Sequence, residues 1–168
     1  GDIDWPRMRD LLAEQFGDWT GQAAPPPEPG GAPGGVTFER KDSAQTHIGL
    51  AHATVPVRHE QFYAARVSQT VLSGGMSGRL FTEVREKRGL VYAVAARYHS
   101  LRAHAGVFTY AGTRPDVAQQ TLEVTVGEIR RLAEGIGDDE LARAKTQLKS
   151  SLVMQGESTS SRAATLAS

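Results

Sequence analysis

The chain has 168 residues, 19 Lys plus Arg against 19 Asp plus Glu, and no cysteine. Zero net charge offers no field to attract nucleic acid or an anionic membrane, and no apolar run approaches the ~18 residues of a bilayer-spanning helix. Without thiols there are no disulfides and no cysteine catalysis, while the length suits one domain that buries roughly two-thirds of its unfolded surface.

The first element is a helix. Asp4 is placed to cap it, Pro6 lies in its first turn, Met8, Leu11, Leu12 and Phe16 recur on one face, and Gly17 ends it. Residues 20–35 hold five prolines and five glycines with no apolar period, which predicts an extended loop or linker. Strands are expected at 36–41 and at 44–55, the second carrying Ile48, Leu50 and Val55. A helix follows over 57–72, with Tyr63, Val67 and Val71 four apart. Gly74-Gly75 then turns the chain into a short helix over 77–87, capped by Ser77.

Strands at 90–99 and 104–112 are rich in Val, Phe, Tyr and Thr and read as a hairpin closed by Ser100–Ala103. Pro115-Asp116 opens a helix striped by Val117, Thr121, Val124 and Leu132 and ending near Gly135. Asp138 or Asp139 caps the next, with Leu141, Ala144, Leu148 and Leu152 on one side; Gly156 ends or bends it before a last helical start at Ser158. The order predicts an α+β layered sandwich, a mostly antiparallel sheet with helices packed on one face, within one domain over 1–168. Both ends fall inside patterns that continue, so the expectation is a domain cut at each end, with exposed edges and faces that need a partner.

Few residues suit catalysis by themselves. None of the five histidines forms a His-x-x-Glu-His or His-Glu-x-x-His motif. His47 and His52 should face opposite sides of a strand, and His99 and His104 offer at most two ligands across a loop. No serine sits in a Gly-x-Ser-x-Gly elbow, and the Gly74–Arg79 turn lacks the Gly-Lys-Ser/Thr of a phosphate loop. Arg85 and Tyr92, seven apart, remain. They read either as a solvated Arg paired with Glu83 or Glu86 and a strand Tyr with a wet tip, or as a permanent cation and a phenol set side by side at a sheet edge to hold a peptide carbonyl.

The run Gly74–Val94, with Arg85 and Tyr92 in it, resembles the signature of the C-terminal, non-zinc domain in the pitrilysin, insulinase and mitochondrial processing peptidase family of inverted-motif zinc peptidases. Leu141–Leu152 with Glu157–Arg162 is a second similar block, and Gly1-Asp2-Ile3-Asp4 and Phe16-Gly-Asp-Trp resemble the family's start. The resemblance implies that zinc and the general-base Glu reside in a separate N-terminal domain or partner subunit, and that this chain holds no metal or cofactor. It also implies that Arg85 and Tyr92 help hold the scissile carbonyl of a peptide substrate, with the strand at 44–53 near a peptide-binding edge. A chain of this kind is inactive alone, and a scaffold member that retains the fold without an active partner is the alternative. Compartment stays open: a soluble domain is expected, cytoplasmic or periplasmic if the source is bacterial.

Overall fold

Thr, Val, Tyr and Phe, spaced so that alternate residues meet a helical layer, build a three-stranded antiparallel sheet in the order β1-β3-β2. In the computed structural model, which describes residues 2–21, 25, 34–39, 43–101 and 103–167, the strands are β1 (Thr46–Thr54), β2 (Val91–Ser100) and β3 (Ala105–Thr113). The hairpin appears as expected, with Ser100 opposite Ala105 and the Leu101 N–H donating to the His104 carbonyl at 2.7 Å. The crossover is the non-local step: β1 reaches past β2 to lie on the far side of β3, Thr46 opposite Thr113 and Thr54 opposite Ala105.

The chain divides into two compact units, residues 1–40 and 41–168. In the first, α1 (Trp5–Phe16) is capped as its sequence predicts, Asp4 accepting from the Arg7 N–H at 3.1 Å and the Gly17 N–H closing on Ala13 at 2.8 Å. Its apolar stripe of Met8, Leu11, Leu12 and Phe16 is exposed. Most of the predicted 20–35 loop, residues 22–24 and 26–33, lies outside the described residues. The strand expected at 36–41 does not form over its described part, residues 36–39; Val36 and Phe38 are 99% and 86% exposed. β-propensity without a cross-strand neighbour has nothing to pack against. Residues 40–41 of that stretch are not described.

In the second unit α2 (Phe62–Ser73) and α3 (Ala118–Glu134) cover one face of the sheet. The core joins Leu72 of α2, Leu80 and Val84, the start of β2 at Leu90 and Val91, and the inward residues Ala96, Val107 and Ala111, with Ile48, Val94, Val124 and Leu132 around it. The stripe expected on α2 is rotated: Thr70, Val71 and Leu72 are buried while Tyr63 is exposed. Some polar groups inside are paired, while the buried Thr109 and Thr125 hydroxyls and Arg79 Nη1 have no hydrogen-bond partner among the described residues. Thr113, fully buried, donates to the Leu90 carbonyl at 2.6 Å and meets the Thr121 hydroxyl at 3.1 Å, pinning the entry of β2 to β3 and α3.

α4 (Asp138–Glu157) packs on α2 and continues into α5 (Thr159–Ala167). Its cap differs from expectation: both Asp138 and Asp139 lie within the helix, Gly137 is the cap position, and Glu140 reaches back to the Gly137 N–H at 3.1 Å. Gly156 falls inside the helix, which breaks two residues later at Ser158; Leu152, expected on the buried stripe, is exposed, while Ala144 of the same stripe is buried.

Between α2 and β2 the chain makes a tight 3-10 turn over Gly75–Ser77 and then a helical segment, Phe81–Glu86, with π geometry. No side chain caps that segment, so Ser77 does not have the role its position suggests. What fixes the turn is Arg79, whose side chain is 8% exposed. Its Nε and Nη2 donate to both oxygens of Glu140 at 2.8 and 2.7 Å, and Nη2 also donates to the Gly135 carbonyl at 2.9 Å. This fork beside Glu140 pulls the carboxyl well below its ordinary range, to about 2.

Candidate functional site

Arg85 and Tyr92 both stand on backbone irregularities. Arg85 lies in the π-helical segment, where the Lys87 N–H bonds to the Thr82 carbonyl at 3.0 Å, five residues back. The chain leaves that segment through two further bonds, Gly89 N–H to Arg85 and Leu90 N–H to Val84, each 3.0 Å, with Gly89 in the left-handed region at φ 61°. A residue with a Cβ resists that conformation, so the glycine is what lets the chain double back into β2 so soon.

Tyr92 occupies a β-bulge. Val91 pairs with Thr113 and Ala93 with the next residue, Gly112, so Tyr92 has no partner of its own on β3. A bulge shifts the alternation by one and re-aims the side chain. Here Val91 is buried while Tyr92 and Ala93 are both exposed, Tyr92 at 56%.

The ion-pair reading of Arg85 fails in detail. Glu83 gives its oxygens to Lys87 at 2.7 Å and to Arg88 at 2.8 Å, which also lowers its carboxyl pKa, the Lys87 bond most. The Arg85 guanidinium lies over the Phe81 ring instead, 5.2 Å from its centroid. That contact keeps an exposed cation oriented without neutralising it.

The sheet has two outer strands, β2 and β1. On β2 both backbone groups of Ala96 are taken by α2: its N–H donates to Ser73 Oγ at 2.8 Å and its carbonyl accepts from Gln69 Nε2 at 2.7 Å. Those bonds close that point of the strand to an added neighbour. Tyr92, 56% exposed, stands four residues before that point.

The histidines separate as the strand period requires. His47 is on the open face, with Nδ1 2.8 Å from the Tyr110 hydroxyl, whereas His52 lines a cleft of about 170 Å³ with Ser68 and Gln69 of α2 and Leu132 of α3. His99 packs edge-on against Phe108, ring centroids 5.4 Å apart, so its ring partner is Phe108 and not His104. Among the described residues no three His, Asp or Glu side chains gather to hold a metal ion, so the donor set does not fit a zinc site. Also among them, no helix is long and apolar enough to cross a membrane. The pairing of Tyr110 with His47 was not legible beforehand; it joins residues 63 apart, and only the strand register reveals it.

Residues 1–148 match a family model described as the peptidase M16 inactive domain. The chain is 40% identical over 126 residues to an uncharacterized zinc protease of Rickettsia felis, a match covering 74% of this chain and 30% of that protein. It is 42% identical over 130 residues to another of Streptomyces coelicolor, covering 76% of this chain and 28% of the relative. The chain thus spans about 30% of the length of these relatives. Among solved structures, the M16 inactive domain from Pseudomonas fluorescens superposes with a TM-score of 0.60 at 30% identity, over 64% of this chain and 26% of that one. A Helicobacter pylori protease has the same fold, with a TM-score of 0.73 at 19% identity over 98% of this chain and 42% of its own.

Proposed function

Because the chain belongs to the peptidase M16 inactive-domain family, we propose that it is the substrate-holding, transition-state-assisting domain of a zinc-dependent metalloendopeptidase. Zinc is supplied by a separate N-terminal domain or subunit, and this chain is inactive alone. The relatives are named zinc proteases, while the described residues here gather no metal-ligating cluster. That division supports a second zinc-bearing body facing this one.

Arg85 and Tyr92 are the groups assigned to the substrate. The observation that carries the assignment is their placement: an exposed Arg on a π-helical segment and an exposed Tyr on a β-bulge, joined by a left-handed glycine turn. Strained or irregular backbone at two exposed polar residues favours a role outside packing. The phenol donates to the carbonyl oxygen of the scissile peptide, and the guanidinium adds fixed positive charge as negative charge grows on that oxygen. Such donors contribute to the rate only as charge develops, so their loss falls on turnover.

The test is Tyr92→Phe in the full-length protein with its zinc-bearing half. We expect kcat to fall by about 10²–10³ with little change in KM. Unchanged kcat would remove Tyr92 from catalysis.

A further inference from the structure

We propose that the Tyr110 hydroxyl, held by His47 across Gly112, is a second hydrogen-bonding group for the substrate peptide, one strand over from Tyr92. The proposal rests on the functional reading above and extends it to a binding subsite on the open face of the sheet.

β3 is the central strand, and its residues alternate. Val107, Thr109 and Ala111 are buried against the helices, while Phe108 and Tyr110 face the open side, Tyr110 at 43% exposure. The Tyr110 ring folds along its own strand over Gly112, where any Cβ would come within 2.8 Å of the phenol oxygen. Gly112 pairs with His47 on β1 and with Ala93 on β2, the residue next to the bulged Tyr92. The hydroxyl therefore lies over the cross-strand row of His47, Gly112 and Ala93, whose neighbouring strands stand about 4.8 Å apart.

His47 fixes it there. Its Nδ1 lies 2.8 Å from the hydroxyl, and the two rings stack at 5.9 Å with a 23° tilt. If Nδ1–H donates, the phenol hydrogen is free to reach a peptide carbonyl; if the phenol donates to Nδ1, its oxygen is free to accept from a peptide N–H. Either tautomer leaves one hydrogen-bonding function pointing outward. The core needs neither side chain, since both lie on the face away from α2 and α3. Gly49 and Ala95, the residues opposite Tyr110 in the adjacent row, are small and leave the side of that ring uncrowded. Tyr110 thus binds, and His47 is a positioning residue that acts through it.

The experiment uses the full-length protein with its zinc-bearing half. A fluorescein-labelled tryptic peptide of casein serves both for binding by anisotropy and for cleavage kinetics. Tyr110→Phe is expected to raise Kd and KM about three- to tenfold, the loss of one hydrogen bond, with kcat within about twofold of the parent. His47→Ala should match it, the double variant should be no worse than either, and His47→Asn, whose amide reaches the place of Nδ1, should restore affinity. Gly112→Ala should push the ring aside and reproduce Tyr110→Phe; should it fail to fold, the Tyr110 and His47 variants still decide. Unchanged Kd and KM in Tyr110→Phe, or additive losses in the double variant, would overturn the proposal. If Tyr92→Phe lowers kcat while Tyr110→Phe changes nothing, only the subsite is lost. If Tyr110→Phe raises KM while Tyr92→Phe keeps full kcat, the subsite stands and the catalytic reading of Tyr92 goes. Absence of binding and cleavage by the unsubstituted protein removes both.

Discussion

Replacing Glu140 by Gln keeps the shape of the Arg79 fork and removes its charge. Arg79 and Glu140 side chains are 8% and 29% exposed, so the cation left behind is desolvated while the carboxylate still sees some water. A carboxyl lowered from 4.5 to about 2, chiefly by its bond to Arg79, corresponds to roughly 3 kcal/mol at about 1.4 kcal/mol per unit. Discounting for solvent at Glu140, and for the amide oxygen that still accepts one bond, leaves about 2 kcal/mol. Urea unfolding of the parent and Glu140→Gln at pH 7 measures it directly, and the melting temperature should fall by about 4–8 °C. The pH profile provides a second readout. The folded-state pKa is depressed, so the stabilisation is complete above about 4.5 and is lost as pH falls toward about 2. The gap between parent and variant should close over that window. A variant within about 0.5 kcal/mol of the parent at pH 7, or a gap that persists unchanged to pH 2.5, would refute the argument.

Thr113→Val conserves volume but leaves the Leu90 carbonyl and the Thr121 hydroxyl without their buried partner; a loss of about 1–2 kcal/mol in urea unfolding is expected, and equal stability would show those bonds to be dispensable. Gly89→Ala meets no neighbouring atom but is strained at φ 61°, costing about 1 kcal/mol, whereas a Cβ at Gly78 lands 2.9 Å from the Gly74 backbone nitrogen and should cost more, about 2 kcal/mol. The reverse order in thermal melts would show the space at Gly78 to be softer than its geometry indicates. Dialysed against metal-free buffer, the chain should keep far less than one zinc per molecule by elemental analysis; one full equivalent would mean a metal site lies within it.

Local chemistry was the legible part of this fold. The Asp4 cap, the β2–β3 hairpin and the helices after Pro115 and Gly137 are written in contiguous residues, and each appears where its text stands. Long-range pairing was not. Nothing near Thr46 says that its neighbour is Thr113 and not a residue of β2, because register is set by packing across the sheet. Val36 and Phe38 show the converse, strand-like residues with no strand beside them among the described residues. At the site, the family resemblance marked Arg85 and Tyr92, and the two sit at the end of a helical segment and the start of a strand. The π geometry and the bulge were hidden, since both arise from how the chain between them closes onto Val84 and Gly112.

The strand order also sets a timetable for synthesis. β3 is the last of the three to leave the ribosome, yet it is the only one that bonds to both others. Among the described strands, β1 has its partner only once Ala105–Thr113 has emerged, since β3 lies between it and β2. Loop-closure entropy should make that long-range pairing slow, and nascent chains halted before Ala105 should be more prone to stick to each other than those halted after Thr113.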